Sequence, residues 1–382
     1  MATNLYVHFP FCRARCSYCS LYSRPGRTEL ERNDYARRIA AAISSLGTDP
    51  SMMGTDPSIM GTVPSTVYFG GGSPALCDLR PVFDALRTWG QSPNPRGQTP
   101  DLRGQTPETW GQSPEFTVEL HPLDVTKELL ATLKAGGVNR ISMGVQSLDD
   151  EILANMGRGY TFAEAERAFA LVKTVFDNAG IDLIVGYPGE KTAILPQHAR
   201  LADWGLRHCS VYALQNERRL KNVVDDETTM TRLSETAAFL SEIGLHRYEI
   251  SNYAVPGYEC RHNLAVWRGE DYIGIGDGAC GRIGRRRTRN FWGLSPSGMG
   301  SVPGKAGGLS PSEETVSEEF DEKERRLFRL RTIEGLDASG HPEWGETLKK
   351  FVSEGLLTQD GDVYCLTARG TEVCDFVLAE LA

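Results

Sequence analysis

Three cysteines crowd one short stretch, Cys12-x-x-x-Cys16-x-x-Cys19, directly after an apolar run at residues 5–9. Cysteine thiolates hold cubane iron–sulfur clusters, and a loop that supplies three of them leaves one iron without a protein ligand, open to a small chelating molecule. Other chemistries use the same residue types. A structural zinc ion takes four ligands, usually as two separated pairs, and His8 is the nearby fourth donor. A redox Cys16-x-x-Cys19 pair leaves Cys12 without a role. Three unconnected packed thiols are the remaining alternative. The nine cysteines are an odd number, which suits thiolate ligation in a reducing compartment better than a disulfide framework.

A loop of this kind must be held by something. Short apolar runs at residues 5–9, 66–69, 116–120, 140–145, 181–185 and 210–214 have the look of parallel strands buried on both faces. Helix-like spacing separates them, at 34–45, 78–89, 126–135, 161–176, 193–205 and 229–243. Six such units make an α/β fold, a partial (β/α)6 barrel with its chemistry at the C-terminal ends of the strands. The cysteines leave from such an end. After Tyr248 the pattern changes. The expected organisation is a barrel over residues 1–246, a barrel-completing segment over 247–319, and a small helix-rich, winged-helix-like C-terminal domain over 320–382, with turns at Gly355-Leu356-Leu357 and Leu366-Thr367. Three stretches carry short proline-bearing repeats, at 47–64, 90–115 and 293–311. A proline in every unit forbids a continuous helix, so these read as solvated loop insertions.

Composition narrows the classes further. With 40% hydrophobic and 24% charged residues the chain is an ordinary globular one. No run reaches the roughly 18 apolar residues of a membrane span, and the four residues before Leu5 are too few for a secretory leader. A cytoplasmic location is expected. The net charge of −9 argues against a nucleic-acid binder. Against that background Arg282 to Arg289 form one basic cluster.

The residues around these features resemble a family. Tyr6-Val7-His8-Phe9-Pro10-Phe11-Cys12 with Cys16 and Cys19 resembles the opening of the radical SAM proteins related to oxygen-independent coproporphyrinogen III oxidase. The likeness runs through Gly70-Gly71-Gly72-Ser73-Pro74, Glu119, Asn139 to Ser147, Gly157-Arg158, Ile181-Asp182-Leu183, Gly186-Tyr187-Pro188-Gly189, Tyr248 to Ala254 and Glu259 to Asn263. It covers roughly residues 5–280 outside the insertions, with a weaker match beyond. It implies a 4Fe–4S cluster on Cys12, Cys16 and Cys19 whose open iron chelates S-adenosylmethionine, and one-electron cleavage of the S–C5′ bond to a 5′-deoxyadenosyl radical. In that reading Gly71, Gly72 and Ser73 belong to the turn that meets the methionine amino group, where glycine lets the backbone come close. Glu119, Gln146, Arg158 and Asp182 supply carboxylate, amide and guanidinium groups to the same cavity. Tyr6 and Tyr18 flank the cluster.

Two branches of the family differ in purpose. The oxidases carry a long N-terminal extension and a fourth cysteine two residues after the last ligand. Here eleven residues precede Cys12, and Leu21 stands at the fourth position. Glu259-Cys260-Arg261-His262-Asn263 is similar to the heme-chaperone branch. The resemblance therefore implies heme binding and delivery to an acceptor protein, with an electron donor for the cluster and a homodimer as a further partner, and porphyrin oxidation as the alternative. Four departures from the branch stand out: Ser20 for aspartate, His121 for asparagine, Tyr160 for histidine and Cys280 for histidine. Cys260, His262, Cys280 and His208 are candidate heme ligands, and Arg282 to Arg289 could pair with propionates.

Overall fold

The computed structural model describes residues 4–46, 64–89, 114–190, 195–215, 220–290 and 312–382. Apart from their end residues, the repeat-bearing insertions lie outside these. The chain divides into two compact units, one of residues 1–179, 215–220 and 271–314, the other of 180–214, 221–270 and 315–382.

All six strands expected from the apolar runs form: β1 (Asn4–Phe9), β2 (Thr66–Gly71), β3 (Glu115–Leu120), β4 (Arg140–Gln146), β5 (Ala179–Val185) and β6 (His208–Ala213). Helices α1 (Glu29–Leu46), α2 (Arg80–Thr88), α3 (Lys127–Ala135), α5 (Phe162–Lys173), α6 (Leu195–Leu201) and α7 (Asp226–Glu242) occupy the expected intervals. The unexpected α4 (Asp150–Met156) is signed locally. Asp149 caps it by accepting from the amides of Glu151 and Ile152, and Gly157, at φ +77°, closes it in the left-handed region. The start of α5 is a capping box between Thr161 and Glu164.

In the first unit β1 to β4 lie side by side in parallel, with Val7 opposite Phe69 and Phe69 opposite Val118. Of the later elements, β7 (Asn252–Ala254) and α8 (Arg261–Trp267) belong to the second unit, and β8 (Tyr272–Ile275), β9 (Cys280–Ile283) and β10 (Arg286–Arg289) to the first. Strand β8 pairs in parallel with the free edge of β1, and β9 and β10 extend it as an antiparallel hairpin. The register divides the faces. Leu5, Val7, Phe9, Val67, Phe69, Phe116 and Val118 are buried on one face, where Phe9 meets Tyr35 of α1 and Phe69 meets Phe83 of α2 at ring separations of 6.3 and 6.1 Å. Each such side chain contributes about 1.5–3 kcal/mol by leaving water. Tyr6, His8, Tyr68, Gly70 and Glu119 alternate onto the other face, so the polar residues are gathered by the same packing that buries the apolar ones.

In the second unit β5 and β6 are parallel, and β7 runs antiparallel to β6. The C-terminal stretch contributes α9 (Glu318–Arg329), β11 (Leu336–Asp337), α10 (Gly345–Ser353), β12 (Leu357–Asp360), β13 (Val363–Leu366) and α11 (Cys374–Leu381). Helix, strand, helix and hairpin follow in the winged-helix order, around a core of Leu327, Leu330, Trp344, Leu348, Phe351 and Val377. The segments read as turns are the ends of the hairpin: Leu357 opens one strand and Leu366 closes the other.

Candidate cofactor site

Strand β1 ends at Phe9, and Phe11–Cys12 then pairs in parallel with Arg24–Pro25, so the cysteine loop is drawn shut at its base. The Arg24 amide donates to the Pro10 carbonyl at 2.5 Å. Within the loop the Cys19 amide reaches the Cys16 carbonyl at 3.3 Å, and the Ser17 amide donates to Met156, the last residue of α4, at 3.1 Å. Cys12, Cys16 and Cys19 are in no disulfide, each partly buried. Burial, then the neighbouring Cys19 and Cys16, push the Cys12 thiol up to about 11, with Arg158 opposing and Asp124 adding. Among the described residues no three His, Cys, Asp or Glu side chains are set to hold a single metal ion. A cubane asks for something else, one thiolate on each of three separate irons.

The glycine turn is bonded onto this loop. Gly72 donates to the Phe9 carbonyl at 2.7 Å and Ser73 to the Phe11 carbonyl at 2.6 Å. A Cβ on Gly72 would lie 2.3 Å from the Phe11 oxygen and 2.9 Å from the Cys12 Sγ, and one on Gly71, at φ +108°, would lie 2.5 Å from the His8 ring. Only glycine fits either position. Glu119 accepts from the Gly71 amide at 3.0 Å and from the Tyr68 hydroxyl at 2.9 Å. Ser73 turns its hydroxyl to the Asp124 carboxylate, whose other oxygen accepts from Arg13 Nε at 2.6 Å.

Arg158, two residues beyond α4, reaches the loop from the other side. It donates to Cys16 Sγ at 3.4 Å, to the Tyr18 hydroxyl at 3.5 Å, to the Tyr160 hydroxyl at 3.0 Å and to the Gly144 carbonyl at 2.7 Å. Tyr160 donates in turn to the carbonyls of β4, at 2.9 Å from both Gly144 and Val145. Gln146 ends β4 at φ +72°, a backbone conformation that costs a non-glycine residue about 1–2 kcal/mol, and its amide lies over Gly144. His121 packs edge-on against Tyr160 with centroids 5.1 Å apart. Two of the family departures, His121 and Tyr160, are thus one contact.

Tyr6 and His8 form the floor. His8 Nε2 meets the Tyr22 carbonyl at 2.9 Å, an acceptor only, so Nε2 carries the hydrogen and Nδ1 accepts from the Tyr6 hydroxyl at 3.0 Å. Burial lowers the His8 pKa and keeps the ring neutral. Tyr22 donates to Asp277, at 2.9 Å, in the turn after β8, and Arg24 pairs with the same carboxylate. Tyr35 joins the elements, donating to the His8 carbonyl at 2.9 Å and accepting from the Asp277 amide at 2.7 Å. The geometry therefore gathers Tyr6, Cys12, Cys16, Tyr18, Cys19, Gly71, Gly72, Ser73, Glu119, Gln146 and Arg158 within the first unit. Asp182 lies on β5 in the second unit, opposite Ser210 in register. Of the heme-ligand candidates, His208, Cys260 and His262 are buried and Cys280 is exposed; His208 meets the Tyr248 hydroxyl at 2.8 Å, and the same oxygen accepts from the Cys260 amide at 3.2 Å. In the basic cluster Arg282 is buried and Arg286 pairs with Glu313.

Sequence reasoning missed Arg13, Asp124, Tyr22 and Asp277. Each acts across a long chain separation, and nothing in its local pattern distinguishes it from a surface charge or loop aromatic. The donor set fits a cubane: three thiols on one loop, of which Cys12 has its proton affinity raised by burial and by the other two and is kept clear by the bare Cα of Gly72.

A family model described as the Radical SAM superfamily matches residues 6–202. The chain is 30% identical over 402 residues to the heme chaperone HemW of Mycobacterium tuberculosis, covering 99% of this chain and 94% of that protein. It is 28% identical over 411 residues to the heme chaperone HemW of Bacillus subtilis, covering 99% and 100%. Among solved structures, coproporphyrinogen III oxidase (HemN) from Escherichia coli, a radical SAM enzyme, superposes with a TM-score of 0.74 at 19% identity over 100% of this chain and 90% of that one. That likeness shows the fold. Among the described residues no helix is long and apolar enough to cross a membrane.

Proposed function

Since the chain belongs to the radical SAM superfamily, alongside the heme chaperones to which it is similar, we propose that it carries a 4Fe–4S cluster on Cys12, Cys16 and Cys19, binds S-adenosylmethionine there, and passes heme to an acceptor protein. The observation that carries the reading is the trio of cysteine thiols on one loop, bonded to a glycine turn that Glu119 holds through the Gly71 amide. When bound, the cluster would supply a vacant iron corner and a single electron from an external donor. The chain's own groups do the rest. Gly71 and Gly72 leave room for a ligand to approach the backbone, Arg158 puts a fixed positive charge beside Cys16, and Glu119 and Gln146 offer polar groups for an amino acid or a ribose. Tyr6 lies below with His8, and Tyr18 beside Arg158.

Heme carriage is favoured over porphyrin oxidation by the resemblance to the chaperones over nearly the whole chain. It is favoured as well by Leu21, a 54% exposed leucine where the oxidases have a fourth cysteine. Ligation of heme iron by His208, Cys260 or His262 requires their elements to open. The deciding experiment is anaerobic reconstitution with iron and sulfide, then hemin titration beside an assay of coproporphyrinogen III turnover. Hemin binding without turnover is expected; robust turnover with no hemin binding would replace the chaperone reading by the oxidase. In the same preparation Cys16→Ala should abolish the reduced-cluster EPR signal, and an unchanged signal would remove Cys16 from the ligand set.

A further inference from the structure

The Asp124 carboxylate touches both halves of the site. It sits in the short turn after β3, with a side chain only 2% exposed. Its Oδ1 accepts from Arg13 Nε at 2.6 Å, and Arg13 is the residue next to Cys12. Its Oδ2 accepts from the Ser73 hydroxyl, at the end of the glycine turn. A buried carboxylate is retained only where its charge is met, and here it is met by groups from two different segments. Arg13 is half exposed, at 52%. Its backbone, however, is continuous with the cysteine that Gly72 barely clears. The turn itself is fixed by its own backbone bonds to Phe9 and Phe11, and Asp124 ties it to the residue that follows Cys12.

We propose that Asp124 is a positioning residue, a clamp that fixes the cysteine loop against the glycine turn so that cluster and S-adenosylmethionine meet in one register. The clamp rests on the cofactor site proposed above. It also sets a local charge. The Asp124 carboxylate lies close to Cys12, with Arg13 as its countercharge. Negative charge near an iron–sulfur cluster disfavours its reduced, more anionic form, and positive charge favours it. The two partners therefore act together on geometry and oppositely on potential.

The test uses the full chain, reconstituted anaerobically, as wild type, Asp124→Asn, Asp124→Ala, Arg13→Ala and the Arg13→Ala/Asp124→Ala double variant. Iron content, the dissociation constant for S-adenosylmethionine and the cluster midpoint potential are measured. Asp124→Ala and Arg13→Ala are each expected to weaken S-adenosylmethionine binding by about tenfold, the size of one lost charge-assisted hydrogen bond, and the double variant to be no weaker than the worse single one. Iron content stays at the wild-type level. Asp124→Asn keeps the shape and loses the charge, and should move the midpoint potential to a more positive value, whereas Arg13→Ala moves it to a more negative one. Unchanged affinity in Asp124→Ala, additive losses in the double variant, or potential shifts of the same sign for Asp124→Asn and Arg13→Ala would each overturn the clamp while leaving the cofactor site standing. A wild-type chain that holds the cluster and binds no S-adenosylmethionine would fail earlier, overturning the site reading and the clamp with it.

Discussion

Acidification should unfold this chain partly through His121, and His121→Asn should remove that contribution. The imidazole is pushed down to about 3, by burial first and then by the charges of Arg158 and Arg13. In the unfolded chain it takes up a proton near its ordinary 6.5, in the folded chain only near 3. Between those values the unfolded state binds more protons, so the stability that His121 allows is fully present above pH 6.5 and is lost as pH falls toward 3. At pH 5, about 1.5 units below the unfolded value, the loss is about 2 kcal/mol at 1.36 kcal/mol per unit. Burial lowers His198 and His8 as well, so the wild type alone cannot isolate the residue and the difference from a variant can. Asparagine suits because His121 Nδ1 accepts from the Leu123 amide at 3.2 Å, and an asparagine oxygen can accept the same bond without titrating. Urea unfolding of the cluster-free chains at pH 7, 6 and 5, at one ionic strength, gives the stability of each. The variant should gain on the wild type by about 2 kcal/mol between pH 7 and pH 5. A difference independent of pH would mean that His121 is solvated, and the desolvation argument would fail.

Other perturbations test separate contacts. Gly72→Ala puts a methyl group 2.9 Å from the Cys12 Sγ and 2.3 Å from a backbone oxygen; retention of iron and sulfide should fall steeply, while Gly345→Ala, whose Cβ meets nothing within 4 Å, retains both. Tyr35→Phe removes the bonds to the His8 carbonyl and the Asp277 amide and should cost about 2 kcal/mol in denaturant unfolding; a loss under about 0.5 kcal/mol would show that water replaces the hydroxyl. Glu119→Ala should weaken S-adenosylmethionine binding with the cluster retained, measured by calorimetry on the reconstituted protein, and undiminished affinity would make Glu119 purely a brace for the Gly71 amide.

Why some of this was legible and some was not follows from the range of the interactions. The six strands announce themselves because the face packed against the helices is written as closely recurring apolar residues, Leu5, Val7 and Phe9 in the first of them. Strand β8 breaks that rule. It is four residues long, and it contains Gly274, where a Cβ would lie 1.9 Å from the Cys280 carbonyl. The glycine is there for the close approach of β9, and in sequence it reads as a turn. Helix α4 was missed although its cap at Asp149 and its stop at Gly157 are ordinary signals, because seven residues give too little periodicity to count. The cysteines were legible since their chemistry depends on spacing along one loop. Asp124 was not, because its meaning lies in Arg13, 111 residues away, and Ser73, 51 residues away. A carboxylate after a strand is written identically whether it faces water or closes a site. What separates the two is which other segments the sheet brings beside it, and here the order β1, β2, β3 sets the cysteine loop, the glycine turn and the Asp124 turn at three adjacent strand ends. The parallel packing that was easiest to read is therefore what makes the least readable residue functional.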